Sequence, residues 1–228
     1  MTPLQSRMID AALPNVVFDG WSPETFRRAT EESGATPAQA RAAFPRGAID
    51  LALAFHRRGD AAMVERLGEA DLPALRFRDR IARAVRIRLE IAGEHEEAVR
   101  RGVTLMSLPI HAADGTRALW GTADAIWTAL GDTSRDVNWY TKRATLAGVY
   151  SATLLYWLGD KSEDRRQSWG FLDRRIDDVM QIEKVKARVR DNPVLSRLMA
   201  GPNLILGRIR APGRGSPKDM PGYYRDPD

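Results

Sequence analysis

From Ala144 to Leu158 fifteen consecutive residues carry no charge, and this run constrains the fold more than any other stretch of the 228-residue chain. Wound as a helix it is apolar on nearly every face, through Leu146, Val149, Tyr150, Leu154, Leu155, Trp157 and Leu158. Small residues (Ala144, Ala147, Gly148, Ser151, Ala152) lie between them, where they allow close packing or leave room for a ligand. A helix apolar all round is stable in water only when neighbours surround it, so the chain must supply a bundle. The run stops short of the roughly 20 residues that cross a bilayer. Just ahead of it, Asp136-Val-Asn-Trp-Tyr-Thr-Lys-Arg143 packs charge and two large aromatics into eight positions. Such a cluster is costly to leave uncovered, so it reads either as a partner surface or as an amphipathic helix start with its rings turned inward.

The punctuation elsewhere is helical. Met8–Val17 predicts a first helix, ended by Asp19-Gly20. Ser22-Pro23 and Thr36-Pro37 each give an N-cap followed by proline at the first helical position, opening a second and a third helix. Further helices are expected over Gly47–Leu67, interrupted at Arg58-Gly-Asp60, then Leu72–Ala92, Glu94–Leu108, Asp114–Leu130, Asp136–Leu158 and Ser162–Arg190. No segment alternates apolar and polar residues as a half-buried strand does. The expectation is an all-α chain in four parts. Residues 1–60 form a helix-turn-helix-like part, 61–191 a helical bundle, 192–210 an amphipathic helix, and 211–228, with four prolines and three glycines, an extended or disordered tail.

Several function classes lack their residues. Without cysteine there is no disulfide, thiolate zinc site or cysteine nucleophile, which fits a reducing compartment. His56, His95 and His111 lie in separate segments, and Glu94-His-Glu-Glu97 has no second histidine at metal-ligand spacing. No phosphate loop or nucleophile elbow is present. We therefore expect no catalytic residue, metal site or cofactor. Met1–Asp10 has neither the basic start nor the apolar core of a secretory leader, which suggests a bacterial cytoplasmic protein.

The net charge of +5 is unevenly spread. Residues 1–60 balance seven arginines against seven acids, whereas residues 192–228 hold six bases and three acids. Arg76, Arg78, Arg80, Arg83, Arg86 and Arg88 read as the solvated side of a helix whose other side carries Phe77, Ile81, Ala84, Val85 and Leu89. In Asn192–Arg210 the residues Leu195, Leu198, Met199, Ile205, Leu206 and Ile209 share one helical stripe, flanked by Arg197, Arg208 and Arg210. Basic amphipathic helices of this kind lie in membrane interfaces or against partner helices. We expect a membrane contact, with the protein peripheral on the inner membrane.

Two resemblances sharpen the reading. Met8-Ile-Asp-Ala-Ala12, the turn Phe18-Asp-Gly20 and the capping Ser22 resemble the opening of a TetR-type repressor. Thr36–Phe44 would then be the recognition helix, yet it offers only Thr36, Gln39 and Arg41 for contacts and is otherwise mostly alanine. Nucleic-acid binding is thus expected to be lost. Over roughly residues 8–189, the Asp136–Arg143 segment, Trp120-Gly-Thr-Ala-Asp124, Ile126-Trp127 and Trp169-Gly-Phe-Leu-Asp173 together resemble the ubiquinone-biosynthesis accessory lipid-binding family with a TetR-like fold. That resemblance implies a pocket for an isoprenoid lipid or quinone precursor, for which Met106, Trp120, Trp127, Leu130, Leu146, Tyr150 and Leu154 are the candidate lining residues. It implies a ubiquinone-pathway hydroxylase as partner, for which Asp136, Asn138, Trp139, Tyr140 and Arg143 are the candidate surface, and a homodimer. The competing reading is a TetR-type transcriptional regulator that senses an apolar ligand.

Overall fold

A computed structural model describes residues 1–191. Among the described residues nine α-helices follow one another: α1 (Pro3–Asp19), α2 (Pro23–Glu32), α3 (Pro37–Ala43), α4 (Ala48–Glu69), α5 (Phe77–Gly93), α6 (Glu96–Met106), α7 (Ala112–Ala129), α8 (Val137–Gly159) and α9 (Arg166–Asp191). No strand occurs among the described residues, so the all-α expectation holds. The proposed amphipathic helix 192–210 and tail 211–228 lie outside the described residues.

Two apolar cores form. One, around Met8, Ile9, Val16, Trp21, Phe44 and Leu51, closes α1–α3 onto the start of α4. The other, around Met63, Ile87, Leu89, Ile126, Tyr150 and Trp157, fills the bundle α4–α9. The helix α4 contributes to both, so residue 60, the expected boundary, falls inside one continuous helix.

Local chemistry explains the differences from the sequence reading. The first helix starts five residues earlier than expected, because Thr2 and Gln5 form a reciprocal capping box. Arg58-Gly-Asp60 does not interrupt α4. A side chain at Gly59 would stand 2.8 Å from Arg88 Cζ, so the glycine is a seat for an arginine rather than a breaker. That arginine is itself a correction: Arg88 is buried, not solvated, and its Nε donates to Asp60 Oδ1 at 2.7 Å. The helix α8 is not enclosed on every side either. Ala144, Thr145, Gly148, Leu155 and Tyr156 form an exposed strip of mostly small side chains.

Candidate functional site

The candidate lipid-lining residues do not share one chamber. Met106, Tyr150 and Leu154 line a cavity of about 260 Å³ beside the C-terminal half of α8, walled also by Phe55, Val99, Val103 and Leu119. Trp127 and Leu146 line a second cavity of about 270 Å³ beside the N-terminal half of α8, with Phe77, Ile81, Ile176 and Met180. Trp120 lines neither cavity; its ring lies 5.8 Å from Trp139 and 6.3 Å from Tyr140. Leu130 packs half-buried on the bundle core and is in neither lining.

The first cavity has distinct ends. Its outer lining includes the exposed Ser107, Ala112, Thr116 and Leu155, which mark the mouth. The 3₁₀ turn Pro109–His111 lies in the chain between Ser107 and Ala112 of that lining and carries Ile110 at 79% exposure beside the exposed Leu108. Here the end of α6 meets the start of α7 closely: a Cβ on Gly115 would stand 3.1 Å from both the Met106 backbone oxygen and its Cβ. The inner end is polar. His56, Arg88 and Tyr150 line it, and the sequence reading missed the first two. A signal was available for Arg88, which follows Ile81, Ala84 and Val85 at i+7, i+4 and i+3 and so sits on the apolar face of α5. Burial pushes the His56 ring below its usual range, which keeps it neutral.

The second cavity opens past Asn138, Thr141, Lys142 and Thr145, beside the candidate partner surface. That surface is partly structural. Asp136 is the N-cap of α8 and accepts from the Asn138 backbone N–H at 3.0 Å and from Asn138 Nδ2 at 2.8 Å. Trp139 and Tyr140 are half-buried and pack edge to face at 4.8 Å. Arg143 is not available to a partner: its side chain is 3% exposed. Its Nε meets Asp124 Oδ1 at 2.6 Å, its Nη1 meets Asp132 Oδ2 at 3.0 Å, and its Cζ lies 4.0 Å from the Trp139 ring. The sequence pattern placed Arg143 at a charged mouth, but an arginine supplied with two carboxylates and a ring face is a buried pin. Burial alone would raise the Asp132 carboxyl, yet hydrogen bonds from Lys142, Ser134 and Arg143 outweigh it and hold its pKa at about 2. What remains exposed are Asp136, Asn138 and the outer edges of the Trp120–Trp139–Tyr140 cluster.

In the amino-terminal part, α3 has few groups free to read DNA. Thr36 and Gln39 are tied to each other in a capping box, with Gln39 Oε1 accepting from the Thr36 N–H at 2.9 Å. On α2, Arg27 pairs with Glu24 and Glu31, and Arg28 pairs with Glu24 and Asp19. Two arginines on Glu24 hold its pKa down at about 2. Among the described residues no group of three His, Asp or Glu side chains is placed to hold a metal, and no helix is long and apolar enough to cross a membrane.

Comparison with known proteins agrees with this architecture. Residues 112–183, from the start of α7 into α9, match the family model described as COQ9. The chain is 32% identical over 188 residues to the mitochondrial ubiquinone biosynthesis protein COQ9 of Drosophila melanogaster, covering 79% of this chain and 56% of that protein. It is 32% identical to the Rattus norvegicus protein of that name over 82% of this chain and 62% of the relative, and 30% identical to the human one over 82% and 61%. The chain thus spans less than two thirds of the length of these relatives. Among solved structures, a TetR transcriptional regulator from Nitrosomonas europaea superposes with a TM-score of 0.63 at 19% identity, over 77% of this chain and 97% of that one. The fold is therefore TetR-like.

Proposed function

This chain belongs to the COQ9 family, and on that premise we propose that it is a non-catalytic lipid-binding accessory protein of ubiquinone biosynthesis. It takes an isoprenoid quinone precursor from a membrane and presents it to a ring-modifying hydroxylase. The observation that carries the reading is the apolar cavity of about 260 Å³ whose outer lining includes the exposed Leu155, with exposed Leu108 and Ile110 on the short segment between its lining residues Ser107 and Ala112. Largely apolar cavities with a few convergent polar groups are the usual form of a small-molecule site. An apolar rim at the mouth suits a ligand delivered from lipid rather than from water. The membrane contact would be reinforced by the basic amphipathic stretch 192–210, which leaves the protein peripheral. The uncovered strip Ala144, Gly148 and Leu155 on α8 is narrow enough for a second copy to pack closely, which supports a homodimer.

The docking surface of the hydroxylase would be Asn138 with the exposed edges of Trp120, Trp139 and Tyr140. Aromatic clusters of this kind carry most of the binding energy of an interface. A regulator that senses an apolar ligand has the fold in its favour, but the neutral amino-terminal part and the internally tied Thr36 and Gln39 weigh against it. Mass spectrometry of lipids extracted from the purified full-length chain tests the proposal. A prenylated aromatic precursor in the extract, depleted when Leu154 at the cavity wall is replaced by tryptophan, supports it. An extract without any isoprenoid, from protein purified out of membranes that contain them, overturns it.

A further inference from the structure

The polar end of the first cavity has no task in that reading so far, and we propose that Arg88 and Tyr150 form a hydrogen-bonding seat for a neutral oxygen at the head of the bound amphiphile. The inference rests on the assignment of this cavity to a lipid. Arg88 reaches the cavity from α5 with its side chain 5% exposed. Its Nε donates to Asp60 Oδ1 at 2.7 Å and its Nη2 to the His56 carbonyl at 3.2 Å. Neither Arg88 Nη1 nor the Tyr150 hydroxyl makes a hydrogen bond to another described residue, although Tyr150 is 1% exposed. No sealed side-chain nitrogen or oxygen among the described residues lacks a partner, so both groups keep some access, and both residues line the cavity. A donor left unmade in an apolar cavity is costly, and an acceptor oxygen on the ligand removes that cost.

Charge selects the kind of oxygen. Asp60 already balances Arg88, and His56 is engaged on both ring nitrogens, Nε2 with Thr122 Oγ1 at 2.8 Å and Nδ1 with Arg88 Nη2 at 3.4 Å. An anionic head would bring an uncompensated charge into this interior, where isolated charges are strongly disfavoured. A carbonyl or phenol oxygen accepts from both donors without that penalty. Size agrees, since a cavity of about 260 Å³ is ample for one substituted ring. The ring then lies innermost, and the tail leaves past Leu155 and the Pro109–His111 turn.

The test compares two probes on the full chain, a decyl-substituted 1,4-benzoquinone and decylbenzene, which lacks the oxygens. Calorimetric titration should give at least tenfold tighter binding of the quinone by the native chain. Tyr150→Phe, which removes only the hydroxyl, should bring the quinone about tenfold closer to the hydrocarbon while leaving decylbenzene binding unchanged. On the native complex, the quinone carbonyl band should move to lower infrared frequency on binding, a readout independent of how well the variant folds. Equal affinity for both probes, or an unshifted carbonyl band, overturns the seat while the lipid cavity stands. Failure of the native chain to bind either probe overturns the lipid reading together with the seat.

Discussion

The Arg143 side chain, read from the sequence as part of a partner surface, instead pins the loop before α8 by bonding Asp124, Asp132 and the Trp139 carbonyl. Breaking a buried pair leaves its partners uncompensated, so Arg143→Met should cost about 3–5 kcal/mol in urea unfolding. Asp132→Asn tests the same knot through pH. The folded pKa of Asp132, about 2, lies below the usual carboxylate value near 3.9. Its ionised form therefore stabilises the fold fully above about pH 4, and that contribution fades as pH falls through 2. The native chain should exceed the variant by about 1–3 kcal/mol at pH 7, with the gap closing in acid; a gap independent of pH would contradict the assignment. Gly59→Ala should lower the melting temperature too, because the added methyl stands 2.8 Å from the Arg88 guanidinium, which Asp60 and His56 hold in place.

Helix identity was largely legible in the chain, because caps such as Ser22 and Thr36 announce themselves by residue type and each one caps the helix expected of it. Facing was less legible. Nothing in the spacing of Met106, Trp127, Leu146 and Tyr150 says that α8 divides its neighbours between two cavities, since that depends on crossing angles that only tertiary packing sets. Burial of Arg88 needs Asp60 on another helix, and a single-helix pattern does not contain that partner. At this scale Trp139 is the informative position. It packs on Trp120, Tyr140 and Arg143 yet stays half-exposed. Trp139→Ala should therefore cost about 1–2 kcal/mol of stability, while abolishing capture of the hydroxylase in a pull-down. A variant that folds less stably by that amount and still captures the hydroxylase would remove the partner role.

As a whole molecule this is a TetR-like fold whose residues 1–60 carry no net charge. Fluorescence anisotropy with duplex DNA at ~0.15 M salt should give nothing tighter than micromolar, the level of non-specific contact; nanomolar binding lost in Arg41→Ala would restore the regulator reading. Removing residues 192–228 should abolish co-sedimentation with anionic liposomes and leave the thermal melt of the helical body unchanged. An unfolded truncation, or full-length protein that ignores liposomes, would make that stretch a packing segment instead. One contact sets a clock on all of this. Because α6 and α7 touch at Gly115, which lines the cavity together with Met106, a methyl group added there must shift one helix end against the other. If the cavity holds a lipid as proposed, an alanine there should wedge the two helix ends apart and shorten residence and weaken affinity together, since off-rates set most affinity differences. On the carrier reading proposed above, cargo must be released on the schedule of the enzyme served, and Gly115 is where a single methyl group would change that schedule.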